Sequence, residues 1–228
     1  MSIRLSDICF GYSPDKSLFR NLNLTIPAKS WTAVTGDCGS GKSTLVKLIS
    51  GLLKQWSGEI VYPNSKGKTG DLAFGYLFQN PDDQFVHFNI EREVAFSLEN
   101  LGYDRKYMFN ETEKALRQIK LWDRRADSPN NLSGGEKQRL ALAGMMITDP
   151  MILIFDEPTA YLDISSRLDL YKQARELVDK GKTLLWITQN IDEIVLSDYV
   201  IKLQEGDVVF SNSLNKYLNE YMNMDHEI

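Results

Sequence analysis

Two short stretches carry residue types and spacings able to do phosphate chemistry. The first is GDCGSGKS, Gly36 to Ser43, which fits the pattern G-x-x-x-x-G-K-[ST], with the short apolar run WTAVT before it and the helical pattern KSTLVKLISGLL after it. In that setting the glycines let backbone N–H groups point inward at phosphate oxygens, and a helix N-terminus adds positive potential. Gly36, Asp37, Cys38, Gly39, Ser40, Gly41, Lys42, Ser43 and Thr44 are therefore candidate nucleotide-binding residues, Lys42 meeting the β and γ phosphates and Ser43 ligating Mg²⁺. The alternative is a glycine-rich connector that happens to precede a helix. Cys38 reads as a small space-filling side chain, the other option being a reactive thiol beside bound phosphates.

The second stretch is MILIFDEP, whose apolar run places Asp156 and Glu157 at the carboxyl end of a buried strand, where open α/β sheets bind ligands. Asp156 is expected to hold Mg²⁺ through water, and Glu157 to polarise the water that attacks a γ-phosphate. A lone Asp-Glu pair at a strand end would be a solvated turn; a phosphate loop upstream changes that reading.

The rest of the chain must position these groups. Residues 1–30 alternate apolar and polar positions around the turn SPDK, as half-buried antiparallel strands do. WTAVTG is a strand running into the loop, and Leu45, Leu48, Ile49 and Leu52 recur at helical spacing behind it. GEIVYP and LAFGYLF are two further strands with the turn GKTG between them. From Asp82 a charged helical run (EREVAFSLENLGY, NETEKALRQIKLW) is bounded by NPDD and SPNN. Beyond it, helices alternate with the buried strands MILIF and TLLWI, the sign of a largely parallel sheet. YVIKLQEGDVVF is a hairpin turning at Glu205 and Gly206, and the tail, with Tyr217 and Tyr221 four apart, is expected to be a short helix ending in disorder.

Composition narrows the partners. The 228 residues carry 26 Lys and Arg against 31 Asp and Glu, a net charge of −5 with no clustered basic face, so nucleic acid is not an expected partner. Two cysteines 29 residues apart suggest neither a disulfide framework nor a zinc site, and a reducing compartment fits. The longest apolar runs fall far short of the ~18 to 20 residues of a spanning helix. Work at a membrane would need another chain to cross it.

At LSGGEKQR, Leu132 to Arg139, the chain resembles the nucleotide-binding subunits of ABC transporters, and the similarity extends over nearly its whole length. The resemblance implies an α/β fold: a P-loop NTPase core with a largely parallel sheet, an N-terminal antiparallel β subdomain and an inserted helical lobe. On that basis the single ABC ATPase domain divides into a RecA-like core with its β subdomain (1–81 and 136–210), a helical lobe (82–135) and a short tail (211–228). It further implies ATP and Mg²⁺ as cofactors and a head-to-tail dimer in which Ser133, Gly134 and Gly135 of one subunit cap the γ-phosphate held by Lys42 of the other. Tyr12 matches the aromatic that stacks on adenine, or is an ordinary exposed strand residue. Gln79 matches the glutamine that senses Mg²⁺ and attacking water, and Asp163 the aspartate that communicates across the dimer.

Residues 78–102, FQNPDDQFVHFNIEREVAFSLENLG, are similar to a narrower group, the ATPases of energy-coupling-factor importers. The likeness rests on FQNPDDQ, then Glu91, Glu93, Val94, Ala95 and Phe96, then Glu99 to Gly102. It implies a groove near Gln84 to Phe88 for a transmembrane scaffold protein, a separate membrane substrate-binding protein, and a place on the cytoplasmic face of a prokaryotic membrane. Some of these apolar residues, Phe96 and Leu98 among them, are expected simply to pack the lobe. His87 is expected to be solvated, and His226 to have no metal role. The chain ends soon after Gly206, so the C-terminal dimerisation extension of longer relatives is not expected. One position departs from the family: where the pattern has a histidine after the strand's threonine, this chain has Gln189. An amide still donates a hydrogen bond but cannot become cationic, so ATP binding should survive better than turnover, unless Gln189 is merely a loop residue. A soluble ABC protein acting as a nucleotide-gated clamp, or a mainly regulatory subunit, are the alternative functions.

Overall fold

Alternation in the first strands is visible in which side chains are buried. In the computed structural model, which describes residues 2–62 and 74–224, strand β1 (Ser2–Ser13) buries Ile3, Leu5, Ile8 and Phe10, and β2 (Lys16–Pro27) buries Phe19, Leu22, Leu24 and Ile26. The step from Leu5 to Ile8 breaks the period of two, and there the antiparallel register shifts at a bulge, so the same face stays apolar on both sides of it. β4 (Ser57–Val61) pairs antiparallel with β1, giving the three-stranded order β2-β1-β4.

The second sheet is built on β3 (Trp31–Gly36), β6 (Ile152–Asp156) and β7 (Thr183–Ile187), with β5 (Phe74–Leu77) at one edge and the hairpin β8 (Tyr199–Gln204) and β9 (Asp207–Ser213) at the other. The order is β5-β6-β7-β3-β8-β9, parallel from β5 through β8, with β9 antiparallel. The central strands are apolar almost without break because both of their faces are covered. Their alternate residues divide between two cores. Ile152, Ile154, Leu185 and Ile187 face the small sheet and helix α1 (Lys42–Ile49). Leu153, Phe155, Leu184 and Trp186 face α4 (Gly134–Met146) and α5 (Ile164–Asp179), which contribute Ala141, Met145, Leu170 and Ala174. Before α4 come α2 (Ile90–Asn100) and α3 (Arg105–Gln118), and Ile90, Val94, Leu116, Leu121, Leu132 and Leu140 form a separate core for this helical segment. α4 belongs to both cores, so it ties the segment to the sheet. α6 (Ile191–Ile194) follows β7, and α7 (Leu214–Met224) packs on the last hairpin through Tyr217 against Phe210.

One expectation is corrected. α1 ends at Ile49, and Leu52 lies beyond it with 63% of its surface exposed; its helical spacing was an accident of the turn that follows. GEIVYP becomes a strand of the small sheet. The GKTG turn, Leu72, Ala73 and the end of the tail with His226 lie outside the described residues.

Candidate functional site

Gly36 closes β3 at φ 136°, and a Cβ there would stand 2.1 Å from the carbonyl oxygen of Leu203 on β8, so the turn into the loop admits glycine alone. Gly41 then opens α1 at φ 105°, with no side chain accepting from the helix's first amides. The contrast with α2 to α6 is direct: Asn89, Asp104, Ser133, Asp163 and Asn190 each cap their helix with a side-chain oxygen. α1 thus keeps its N-terminal donors for an anion from outside. The Lys42 side chain, 7% exposed, folds back over the loop and donates to the carbonyls of Gly36 and Asp37, 2.8 Å each.

A cavity of about 560 Å³ opens beside this loop, inside the range of sites that hold a nucleotide-sized ligand. Tyr12, Lys16 and Leu18 line it from the small sheet, Cys38, Gly39 and Gly41 from the loop, Lys42, Ser43 and Thr44 from α1, and Glu157 and Gln189 from the ends of β6 and β7. Tyr12 is 70% exposed, its hydroxyl 2.9 Å from Thr44 Oγ1 and its ring edge-on to Phe10. Asp37 and Cys38 are both exposed. Cys38 therefore fills no interior space, contrary to the expectation for it. Gly36 and Ser40 are buried and do not line the cavity, and among the described residues the Ser40 Oγ has no hydrogen-bond partner.

The strand-end carboxylates are held by the neighbouring edge strand. Tyr76 on β5 donates to Asp156 Oδ2 at 2.8 Å, and Gln79, just past β5, donates through Nε2 to Glu157 Oε2 at 2.9 Å. Burial first, and then the Asp156 charge, push the Tyr76 hydroxyl far above its ordinary pKa, so it remains a donor. Tyr76 was not foreseen; its side chain reads as strand packing, and only its register against β6 brings it to Asp156. Glu157 sits at φ 46°, a left-handed backbone rare outside glycine, with its N–H bonded to the Ile187 carbonyl at 3.1 Å. Glu157 and Gln189 also line a smaller cavity of about 260 Å³ together with Thr159, Arg167 and Asn190. Ser43 lines the cavity, whereas Asp156 and Gln79 are not among its lining residues; all three carry oxygen donors, and among the described residues no three His, Cys, Asp or Glu side chains converge. Such a set suits Mg²⁺, which keeps several waters and takes phosphate oxygens, rather than a protein-caged ion.

Ser133, Gly134, Gly135 and Asp163 do not line the 560 Å³ cavity. They gather where the N-termini of α4 and α5 lie side by side: a Cβ on Gly135 would stand 2.8 Å from Ser166 Oγ, and Asp163 accepts from Ser166 N at 2.8 Å. Ser133 and Glu136 form a reciprocal capping box, and Arg124 pins Glu136 from the far side at 2.9 Å. The Ser133 backbone N–H, then its hydroxyl and Arg124, hold the Glu136 carboxyl below its ordinary range. In the segment from Gln84 to Phe88, Val86 and Phe88 are exposed, Phe88 by 92%. His87 is not simply solvated: its ring packs edge-on to Phe96 at 5.1 Å, and its Nε2 is buried. Leu98 is buried in the lobe, as expected.

The ABC transporter family model matches residues 19–160, more than half of the chain. The chain is 40% identical over 214 residues to the energy-coupling factor transporter ATP-binding protein EcfA1 of Ligilactobacillus salivarius, covering 91% of this chain and 76% of that protein. It is 37% identical over 217 residues to EcfA of Pediococcus pentosaceus, covering 92% and 78%. Among solved structures, CbiO1 of Clostridium perfringens, described as part of the ABC transporter complex CbiONQ, superposes with a TM-score of 0.83 at 28% identity, covering 96% of this chain and 91% of that one. The mixed fold, with its antiparallel N-terminal sheet and mostly parallel second sheet, is that of the ABC ATPases. A phosphate loop built in this way, within a sequence matched across most of its length, means that the chain belongs to the ABC transporter family, as an ATP-binding domain that hydrolyses ATP to drive transport.

Proposed function

We propose that the chain binds ATP with Mg²⁺ in the 560 Å³ cavity and powers an energy-coupling-factor-type importer of a vitamin or transition-metal ion. One observation carries the reading: the chemistry is divided between two surfaces. Lys42, Ser43, Glu157 and Gln189 border the cavity, whereas Ser133, Gly134, Gly135 and Asp163 lie away from it. A second ATPase subunit, identical or different, docked head to tail would bring its helix-opening serine and glycines onto the γ-phosphate.

In this reading Tyr12 stacks on the adenine, and Lys42 exchanges the carbonyls of Gly36 and Asp37 for β and γ phosphate oxygens. The free amides opening α1 face the same charge. Ser43, Gln79 and, through water, Asp156 would hold Mg²⁺, which supplies neutralisation of charge on the phosphate oxygens. Glu157 takes a proton from the attacking water as the new O–P bond forms and the bond to the β-phosphate oxygen breaks. Gln189 donates its amide to the γ-phosphate. Gln79 joins this event to the exposed segment ending at Phe88, where a transmembrane scaffold protein would dock and, through it, a membrane substrate-binding protein.

No helix among the described residues is long and apolar enough to cross a membrane, and the reading places the chain peripherally on the cytoplasmic face of a prokaryotic membrane. The names of its relatives, energy-coupling factor transporter ATP-binding proteins, support this assignment. The test is Glu157→Gln in the complex purified from solubilised membranes. ATP-bound dimers should accumulate and turnover should fall by about 10² to 10⁴. Normal hydrolysis would refute the assignment of the base, and a purification that brings down no multi-span chain would refute the transport assignment.

A further inference from the structure

We infer that Tyr76 is a positioning residue for the metal-bearing carboxylate, its hydroxyl fixing Asp156 so that Oδ1 is the oxygen presented to Mg²⁺ and its water. The inference rests on the functional reading above. β5 pairs in parallel with β6, Tyr76 opposite Ile154 and Leu77 opposite Phe155, so Tyr76 lies one face-repeat behind Asp156 and its long side chain closes the gap. Among the described residues the Asp156 side chain makes no other hydrogen bond. Without the Tyr76 bond the carboxylate turns about a broad, two-fold torsion and offers either oxygen. With it, Oδ2 is engaged and Oδ1 is left for the cation. The ring is itself held, tilted against Phe78 at a centroid distance of 4.8 Å. The edge strand and the turn after it thus deliver two donors to the strand-end carboxylates, Tyr76 to Asp156 and Gln79 to Glu157, and the chain then leads on to the exposed Val86 and Phe88.

Tyr76→Phe keeps the ring contact and removes only the hydroxyl. Mn²⁺ would be titrated, by electron paramagnetic resonance, into wild type and variant saturated with a non-hydrolysable ATP analogue. Loss of an outer-shell orienting bond weakens metal affinity by about 10- to 100-fold, and a roughly tenfold loss is expected here, with nucleotide binding in EDTA unchanged. In an Asp156→Asn background, Tyr76→Phe should add nothing further to the loss. Mn²⁺ affinity unchanged within about twofold, an equal loss in both backgrounds, or a parallel loss of metal-free nucleotide binding and melting temperature would overturn the inference. Failure of the wild type to bind the Mn²⁺–nucleotide pair at all would overturn the functional reading instead.

Discussion

Glu193 is the perturbation that most directly tests how the segments following β6 and β7 are tied together. Its side chain, 1% exposed, lies four residues after Gln189 and accepts from Thr159 Oγ1, from Tyr171 OH at 3.1 Å and from Trp186 Nε1 at 2.7 Å. Thr159 is two residues after Glu157, so one carboxylate joins the segment following Glu157 to the segment following Gln189. Burial, and then the Glu193 charge, push the Tyr171 hydroxyl up to about 12, so it too stays a donor. Glu193→Ala leaves the Trp186 indole and the Thr159 hydroxyl, both buried, without their acceptor. At about 1 to 3 kcal/mol for each orphaned donor the loss is about 2 to 6 kcal/mol, a large share of a domain's total of about 5 to 15. Glu193→Gln should behave differently. The amide oxygen can face the indole N–H, which only donates, while its NH₂ faces two hydroxyls, which can accept. The shape is kept and every group finds a partner, so the loss should stay near 1 kcal/mol. Urea unfolding of the three proteins, followed by circular dichroism, measures both values. An alanine variant within about 1 kcal/mol of wild type, or a glutamine variant as damaged as alanine, would refute the reasoning.

Two further outcomes are expected. Gln189 lines both cavities beside Glu157 without a side-chain hydrogen bond to the described residues, and removing a well-placed donor to developing charge costs about 10² to 10³ in rate. A glutamine recovers part of that, so Gln189→His should raise turnover of the assembled complex by about tenfold, and no gain would show that the amide is not limiting. The second outcome concerns acid. The Ser166 backbone N–H holds the Asp163 carboxyl below its ordinary range, and the Ser133 N–H and hydroxyl do the same for Glu136. A lowered carboxylate contributes stability above its unfolded pKa and loses it as pH falls through the folded value. The caps of α4 and α5 should therefore weaken below about pH 4, and Asp163→Asn, which still caps but cannot titrate, should show a shallower fall in melting temperature between neutral and acid pH.

The phosphate loop was legible because its demands are local. Gly36 and Gly41 sit where the backbone needs positive φ, and Lys42 and Ser43 follow at fixed spacing. The buried strands were legible for the same reason, since ILIF and LLWI state their burial in four residues each. The strand-end pair Asp156 and Glu157 followed from that placement. Leu52 misled because its spacing continued a helix that the chain had already left.

What the sequence by itself determined is the inventory of the candidate site: glycines that turn the loop, a lysine and serine at the helix start, two carboxylates at one strand end, and the Gln189 amide at another. What only the tertiary structure decided is which groups hold these in place. Tyr76 reaches Asp156 through the register of β5 against β6, Glu193 on α6 ties the segment after β7 to the one after β6, and Ser133 and Asp163 lie away from the cavity that holds Lys42. Local backbone geometry and burial are written in neighbouring residues. A hydrogen bond between distant strands depends on register and sheet order, which no short stretch of sequence contains.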